Sequence, residues 1–333
     1  MITGEAVAQT DNRDALIDEL QRRIDALEKK LEKPAPPPPT PPMKAPPPTP
    51  KPAASEEAGR EDEGARALER TLVRSGGLVL PKGRYEIEPS VRYTYRGLNE
   101  LQIVGAQVAQ QDLTRNEVEG ALGIRAGLPW SMQADILLPY VWIHQNLAVA
   151  GADLSERRSG LGDVEIGLTK QFAAERSQRP ALLGSLNWKS TTGNNDPGRL
   201  SPGTGFPSLQ GTLSAVKRED PLVFIGSLSY IGIFERERGG SEVDPGDAWS
   251  MKVATILAAS PETSLRAAFE VTRFARTRIG GASVAGSDAT AASLEFGLAT
   301  LSSARALVDI EIAIGVTPDA PDFRIRLALP IRF

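Results

Sequence analysis

The chain has 333 residues, 41% of them apolar, and a net charge of −4; its mean hydropathy is negative and no run approaches the roughly 20 apolar residues of a spanning helix, which excludes a helical inner-membrane protein. Cysteine is absent and His144 is the only histidine, which removes thiolate sites, disulfides and multi-histidine metal sites and makes any Ser/His/Asp triad depend on one imidazole. Both signs of charge are spread along the chain, so there is no basic footprint for nucleic acid; a soluble protein and a transmembrane barrel both fit these totals.

Residues 1–12 read as a disordered or processed N-terminus. Ala6, Val7 and Ala8 followed by Gln9 have the small-x-small form of a signal-peptidase site and read as the scar of an export signal. Residues 13–33 are nearly all helix formers, with Ile17, Leu20, Ile24, Leu27 and Leu31 at alternating steps of three and four. That is the a/d seam of a short coiled coil, and so short a helix needs partner helices; the alternative is an amphipathic helix docked on its own domain. Residues 34–54 are proline-rich, a semi-rigid polyproline II spacer of very roughly 60 Å.

Residues 55–82 read as a plug-like helix and connector, stopped by Gly76 and Gly77. Candidate plug residues are Arg66, Leu68, Arg70 and Leu72, with Arg60 and Arg74 on the same charged face. A surface helix is the alternative to one that enters a pore.

From Arg84 the period changes to two. Tyr85, Ile87, Pro89, Val91, Tyr93 and Tyr95 alternate with Arg84, Glu86, Glu88, Ser90, Arg92 and Thr94. The last segment alternates in the same way, with Phe323, Ile325, Leu327, Leu329, Ile331 and Phe333 against Arg324, Arg326 and Arg332. Strands buried on both faces would be continuously apolar, so a parallel α/β sheet is disfavoured. The pattern predicts an all-β transmembrane antiparallel barrel of about 12 strands over 83–333. Its strands lie at 84–96, 116–129, 131–145, 161–174, 179–191, 207–218, 221–235, 247–259, 262–275, 289–301, 304–317 and 321–333. Short links alternate with longer ones at 146–160, 192–206, 236–246 and 276–288, the arrangement of outer-membrane barrels. Parity makes 97–115, including the strand-like Leu101 to Ala109, an extracellular excursion and leaves both barrel termini on the periplasmic side. A soluble sandwich is the alternative fold, but strands of about 11 to 14 residues exceed its usual 5 or 6. Tyr85, Tyr95, Trp130, Tyr140, Trp142, Phe172, Trp188, Phe234, Phe274 and Phe333 fall toward strand ends, as an aromatic girdle requires.

The polar faces supply the candidate lumen lining: Arg84, Glu86, Glu88, Arg92, Arg125, Asp135, Asp163, Glu165, Lys189, Lys252, Glu295, Asp309, Glu311, Arg324 and Arg326, together with Arg266 and Glu270. These either line water or pair into a sealed lattice. His144 reads as structural or solvent-exposed, and no catalytic, cofactor-binding or metal-ligating set emerges, so an enzyme is not expected.

Gly160 to Leu168 (GLGDVEIGL) through Phe172, then Lys189 to Asn194 (KSTTGN) and Gly203 to Gly205, resemble the outer-membrane barrel family labelled after the meta-pathway of phenol degradation. The coiled coil, proline linker and plug-like helix, with Gly76 to Pro81 (GGLVLP) and Tyr85 to Ser90 (YEIEPS), are similar to the secretion channel of the Fap functional-amyloid system. That resemblance implies a trimer, a twelve-stranded barrel in each protomer and a helical plug gating passage of unfolded amyloid subunits. The expectation is an outer-membrane channel with its N-terminal segment in the periplasm, passing an extended polypeptide or a small solute. Its partners would be membrane lipid, further copies of the chain and a secreted polypeptide. An uptake channel for aromatic or hydrophobic small molecules and a structural outer-membrane anchor are the alternatives; a hydrolase built on His144 is a distant one.

Overall fold

The structure, a computed structural model, describes residues 67–104, 107–149, 152–194 and 200–333. The seam from Ile17 to Leu31, the proline-rich stretch and Arg66 lie outside the described residues. The strands are β1 (Tyr85–Val104), β2 (Gln107–Leu128), β3 (Met132–Val149), β4 (Ala152–Leu161), β5 (Glu165–Ala173), β6 (Ala181–Lys189), β7 (Ser208–Glu219), β8 (Leu222–Ile233), β9 (Arg236–Arg238), β10 (Ser241–Asp244), β11 (Ala248–Ser260), β12 (Thr263–Phe274), β13 (Arg278–Ile279), β14 (Ala282–Ser283), β15 (Ala289–Leu301), β16 (Leu307–Gly315), β17 (Phe323–Ala328) and β18 (Ile331–Arg332).

Every ladder of the main sheet is antiparallel, the strand order follows the chain once β9, β10, β13 and β14 are set aside and β4 and β5 are taken together, and β1 pairs with β17 and β18 at the seam, so the sheet closes on itself. Closure leaves no spanning edge with unpaired backbone groups, which hydrocarbon would not tolerate. β4 and β5 share the partner β3 and together make one crossing, broken at Gly162, Asp163 and Val164. β17 and β18 likewise make one crossing, interrupted before Ile331. The protein is thus an all-β, closed, antiparallel barrel of twelve crossings.

Alternation decides which face each residue takes. Val91, Leu213, Leu228, Phe296, Ile312 and Ile325 point outward and are exposed, whereas their neighbours Glu88, Val216, Ile225, Glu295 and Asp309 point inward and are buried. An apolar exterior around a partly charged interior reverses the arrangement of a soluble sandwich. Aromatic pairs ring the outer surface toward the long-loop rim: Tyr95 stacks on Phe323 with centroids 5.4 Å apart, Tyr140 meets Trp142 at 4.6 Å, and Tyr230 meets Trp249 at 4.8 Å. Tyr85, Trp130, Phe172 and Phe333 are exposed at the opposite, short-turn rim.

Two expected excursions are strands instead. Residues 97–115 form a paired continuation of the β1–β2 hairpin, in register from Gly97 with Thr114 to Val104 with Gln107. Residues 146–160 are likewise taken up by the ends of β3 and β4. Both continue the barrel wall past the last β1–β17 pair, Tyr95 with Phe323. The links at 236–246 and 276–288 are not separate loops either: β9, β10, β13 and β14 make one four-stranded sheet above the rim. At its base Arg276 Nε donates to Asp288 at 3.0 Å, and this hydrogen bond holds the Asp288 carboxyl below its ordinary range.

Candidate functional site

Residues 67–74 are helical, and the helix ends in a glycine cap. Gly76 has φ +72°, Gly76 N donates to Val73 O at 3.4 Å and Gly77 N to Leu72 O at 2.8 Å, the paired bonds of a Schellman motif in which only glycine takes the left-handed position without strain. The chain then runs along the inner wall, where Leu80 N donates to Gln133 Oε1 at 2.9 Å. It crosses Gly127 so closely that a Cβ there would sit 2.0 Å from Pro81 O.

Helical spacing places residues four apart on one face, and each such pair meets a different part of the barrel's inner wall. Leu68 and Leu72 join an apolar cluster with Ala181, Leu183, Val216, Val223, Ile225, Ala254, Ile256 and Ala268, inward residues of β6, β7, β8, β11 and β12. Arg70 and Arg74 face the other way: Arg70 donates to Ala304 O at 2.8 Å, and Arg74 lies 2.7 Å from Asp309 and 3.8 Å from Glu88. Thr71 Oγ1 is 2.7 Å from Ser264 Oγ, and Arg266 donates to Ser75 Oγ at 3.2 Å. Glu69 pairs with Arg332 at 2.9 Å. Contacts with β1, β16 and β18 on one side and β6 to β12 on the other mean that the helix spans the lumen at the short-turn end.

The wall facing Arg74 is an ionic lattice of neighbouring clusters. Arg125 reaches both Glu86 at 2.8 Å and Glu88 at 2.7 Å; Arg326 also pairs with Glu88, and Arg332 with Glu86 at 3.5 Å. Arg266 pairs with Glu311, Lys252 bridges Glu270 and Glu295, and Arg324 reaches Glu295 at 3.5 Å. Glu86, Glu88 and Asp309 are almost fully buried, and such charges persist only where partners replace lost water.

Toward the long-loop end the lattice opens into a cavity of about 310 Å³, lined by the Arg92–Glu119 pair, Arg115 with Glu117 at 2.8 Å, and Glu165 with Lys189 at 3.7 Å. Ser201, Pro202, Gly203 and Thr204 close its remaining side.

Of the sequence candidates, Glu86, Glu88, Arg125, Lys252, Glu295, Asp309, Glu311, Arg324 and Arg326 lie in the lattice, and Arg92, Glu165 and Lys189 line the cavity. Asp135 sits on the inner face of β3, opposite Arg125. Arg84 differs: it precedes β1, is exposed at the short-turn rim, and takes part through its backbone oxygen, which accepts from Gly127 N. Asp163 borders the same cavity, but it is almost fully buried and its carboxylate is taken up by the link between β6 and β7, accepting from Gly193 N and Thr204 N. Thr71, Ser264, Gln133 and Arg332 were not among the candidates. Thr71 and Ser75 share the four-residue spacing of the other helix faces, whereas Ser264 and Gln133 carry no sequence signal. His144, on β3, accepts from Arg157 Nε at 3.2 Å through Nδ1.

A closed antiparallel barrel with a lipid-facing apolar exterior, two aromatic rims and a charged interior defines an outer-membrane β-barrel. The chain belongs to the family described as "Putative MetA-pathway of phenol degradation", matched over residues 102–333. Among solved structures it is similar to the outer membrane channel from Pseudomonas putida F1, with a TM-score of 0.64, 12% identity, and coverage of 77% of this chain and 97% of that one. It is also similar to the translocator domain of the autotransporter NalP from Neisseria meningitidis, with a TM-score of 0.50, 12% identity, and coverage of 84% and 98%.

Proposed function

We propose that the protein is an outer-membrane channel held shut by the helix at 67–74, with the short-turn end in the periplasm, and that withdrawal of this helix opens the lumen. The observation that carries the reading is the helix's double attachment, with Leu72 fully buried in an apolar seat on one wall and Arg74 paired with Asp309 on the other. A permanent filler could be wholly apolar, whereas charge pairs and hydroxyl contacts can be exchanged for water when a segment leaves.

The cargo is an extended polypeptide or a polar solute, as in the Fap-type secretion system that the N-terminal half resembles. A charged wall supports this, because it solvates backbone and polar side chains in transit. Residues 13–33 would bring copies together, as a trimer by the same resemblance. A second reading, uptake of aromatic or hydrophobic molecules, is favoured by the apolar patch from Leu183 to Ile256 and by the family's description; it needs that patch to be the path of the solute.

Planar-bilayer recording of the intact chain and of one lacking residues 13–77 tests the reading. The intact chain is expected to be closed nearly all the time and the shortened one to conduct steadily. If both are silent while the barrel is folded, the wall seals itself and the protein is an anchor.

A further inference from the structure

The link between β6 and β7 does not stand clear of the barrel. Its described parts, 190–194 and 200–206, are fixed to the wall from two sides. Inside, Asp163 accepts from Gly193 N at 3.1 Å, Thr204 N at 2.7 Å and Thr204 Oγ1 at 2.7 Å. Beside it, Ser190 N donates to Val164 O at 2.9 Å, Asn194 N to Leu161 O at 3.0 Å, and Val164 N to Thr192 Oγ1 at 3.0 Å. From the rim, Arg236 donates to Gly205 O at 3.3 Å and Arg238 to Thr204 O at 3.1 Å, with the Arg238 guanidinium 4.6 Å above the Phe206 ring. The approach has no room for side chains: a Cβ on Gly193 would meet Asp163 Oδ1 at 2.8 Å and Gly203 Cα at 2.9 Å. Residues 201–204 are thereby brought into one cavity with Arg92, Glu119, Leu137 and Val141, all inward residues of β1, β2 and β3.

We propose that this latched link is a second, fixed constriction in the long-loop half of the lumen, that Asp163 is its positioning residue, and that it selects hydrophilic cargo. Four acids and three bases line the cavity, Glu117, Glu119, Asp163 and Glu165 against Arg92, Arg115 and Lys189; the Asp163 carboxylate is taken up by Gly193 and Thr204, so the remaining three acids face three bases and the wall favours neither anions nor cations strongly. An apolar solute entering it would strip water from these groups and return no hydrogen bond. Polar or mixed-charge segments of an extended chain, or hydrophilic solutes, exchange water for wall contacts at little cost. A buried carboxylate with three donors is a strong anchor, since charge-assisted hydrogen bonds exceed neutral ones. The helix at 67–74 thus decides whether the lumen is open, and the latched link decides what enters it.

The inference rests on the channel reading, yet its test needs no movement of the helix. In the full chain, which has no native thiol, Ala121→Cys places a single reactive group on the inner face of β2, opposite Ser90 and Pro139. Its labelling rate from the long-loop side is measured with a charged and an apolar methanethiosulfonate of similar size, each divided by its rate with a free thiol in solution, on protein whose folding is verified by heat-modifiable gel migration. The charged reagent is expected to react at least about tenfold faster than the apolar one. Adding Asp163→Ala is expected to raise the apolar rate by about tenfold and abolish the discrimination. Gly160→Cys with Asn194→Cys, where the Cβ separation of 3.4 Å is close to that of a disulfide, is oxidised before labelling and is expected to restore discrimination in the Asp163→Ala chain. Equal rates for the two reagents, or rates unmoved by Asp163→Ala and the disulfide, would overturn the proposal. Silence of the shortened chain in bilayers would instead count against the channel reading.

Discussion

At the scale of single residues, the barrel's tightest conformational demands lie where the chain turns or crosses itself. Trp130 and Ser131, in the three-residue link between Leu128 and Met132, have φ of 60° and 54°, left-handed values that normally select Gly or Asn. Each costs a non-glycine residue about 1 kcal/mol. Trp130 keeps its place for another reason, since it is 81% exposed on the rim where a girdle ring sits. Ser131 has no such tie, so Ser131→Gly is expected to stabilise the folded barrel by up to about 1 kcal/mol, read as a higher urea midpoint with unchanged slope. An unchanged or lower midpoint would mean that the turn is not strained as described.

The same scale explains what the sequence hid about Asp163. Its charge and its place in an alternating strand pointed to the lumen, where it does border the cavity, but not to its role as an anchor. Its partners Gly193 and Thr204 lie 30 and 41 residues away, in a link that reads only as glycine-rich. Thr71 and Ser264, 193 residues apart, were hidden for the same reason. Leu68, Leu72 and Arg70, by contrast, stood out because helical spacing is local.

At the scale of elements, the membrane dictated what was legible. Inside hydrocarbon a strand must be apolar on its outer face, so β1, β16 and β17 announce themselves by period two. Beyond the rim both faces meet water, the outer face no longer has to be apolar, and the segments at 97–115 and 146–160 read as excursions, with only Leu101 to Ala109 strand-like, although their described backbones are paired. The four short strands above the rim were illegible for a further reason, since they pair across two links more than thirty residues apart. If the extension of β1 and β2 lies outside the membrane, it contributes little to closure, which depends on the registers of Glu86 to Tyr95 with β17 and β18. Replacing residues 98–113 by Asn-Gly is therefore expected to leave a heat-modifiable barrel with a urea midpoint within about 0.5 kcal/mol of the parent, the range of surface changes. Loss of the folded band on a gel would show that the extension is structural.

At the scale of the whole molecule, two walls of different chemistry face each other across one lumen. The side from β6 to β12 carries the apolar cluster; the side formed by β1, β2 and β15 to β18, joined by Lys252 of β11 and by Arg266 and Glu270 of β12, carries the ionic lattice. A helix with leucines on one face and arginines on another suits both at once, and the reason is stoichiometric as well as geometric. Asp309 takes Arg74 as its ion-pair partner among the described residues, with Arg266 and Arg326 of the wall acting on it from farther off, so departure of the helix removes its nearest cation. Burying an unpaired carboxylate costs about 3–5 kcal/mol, and departure of the helix avoids that cost by admitting water. The arrangement would be stable when shut and tolerable when open, as the proposed gate requires.

That claim is tested most directly by tying the helix to the wall. Thr71→Cys with Ser264→Cys replaces a hydroxyl contact of 2.7 Å by two thiols in a chain that has no others, and Arg74→Ala in the same chain weakens the helix's attachment so that openings become frequent. In single-channel recordings these openings are expected under reducing conditions, to stop when the disulfide forms, and to return on reduction. Openings equally frequent in the oxidised and reduced protein would show that current flows without the helix leaving its seat, and the gate would have to be sought elsewhere.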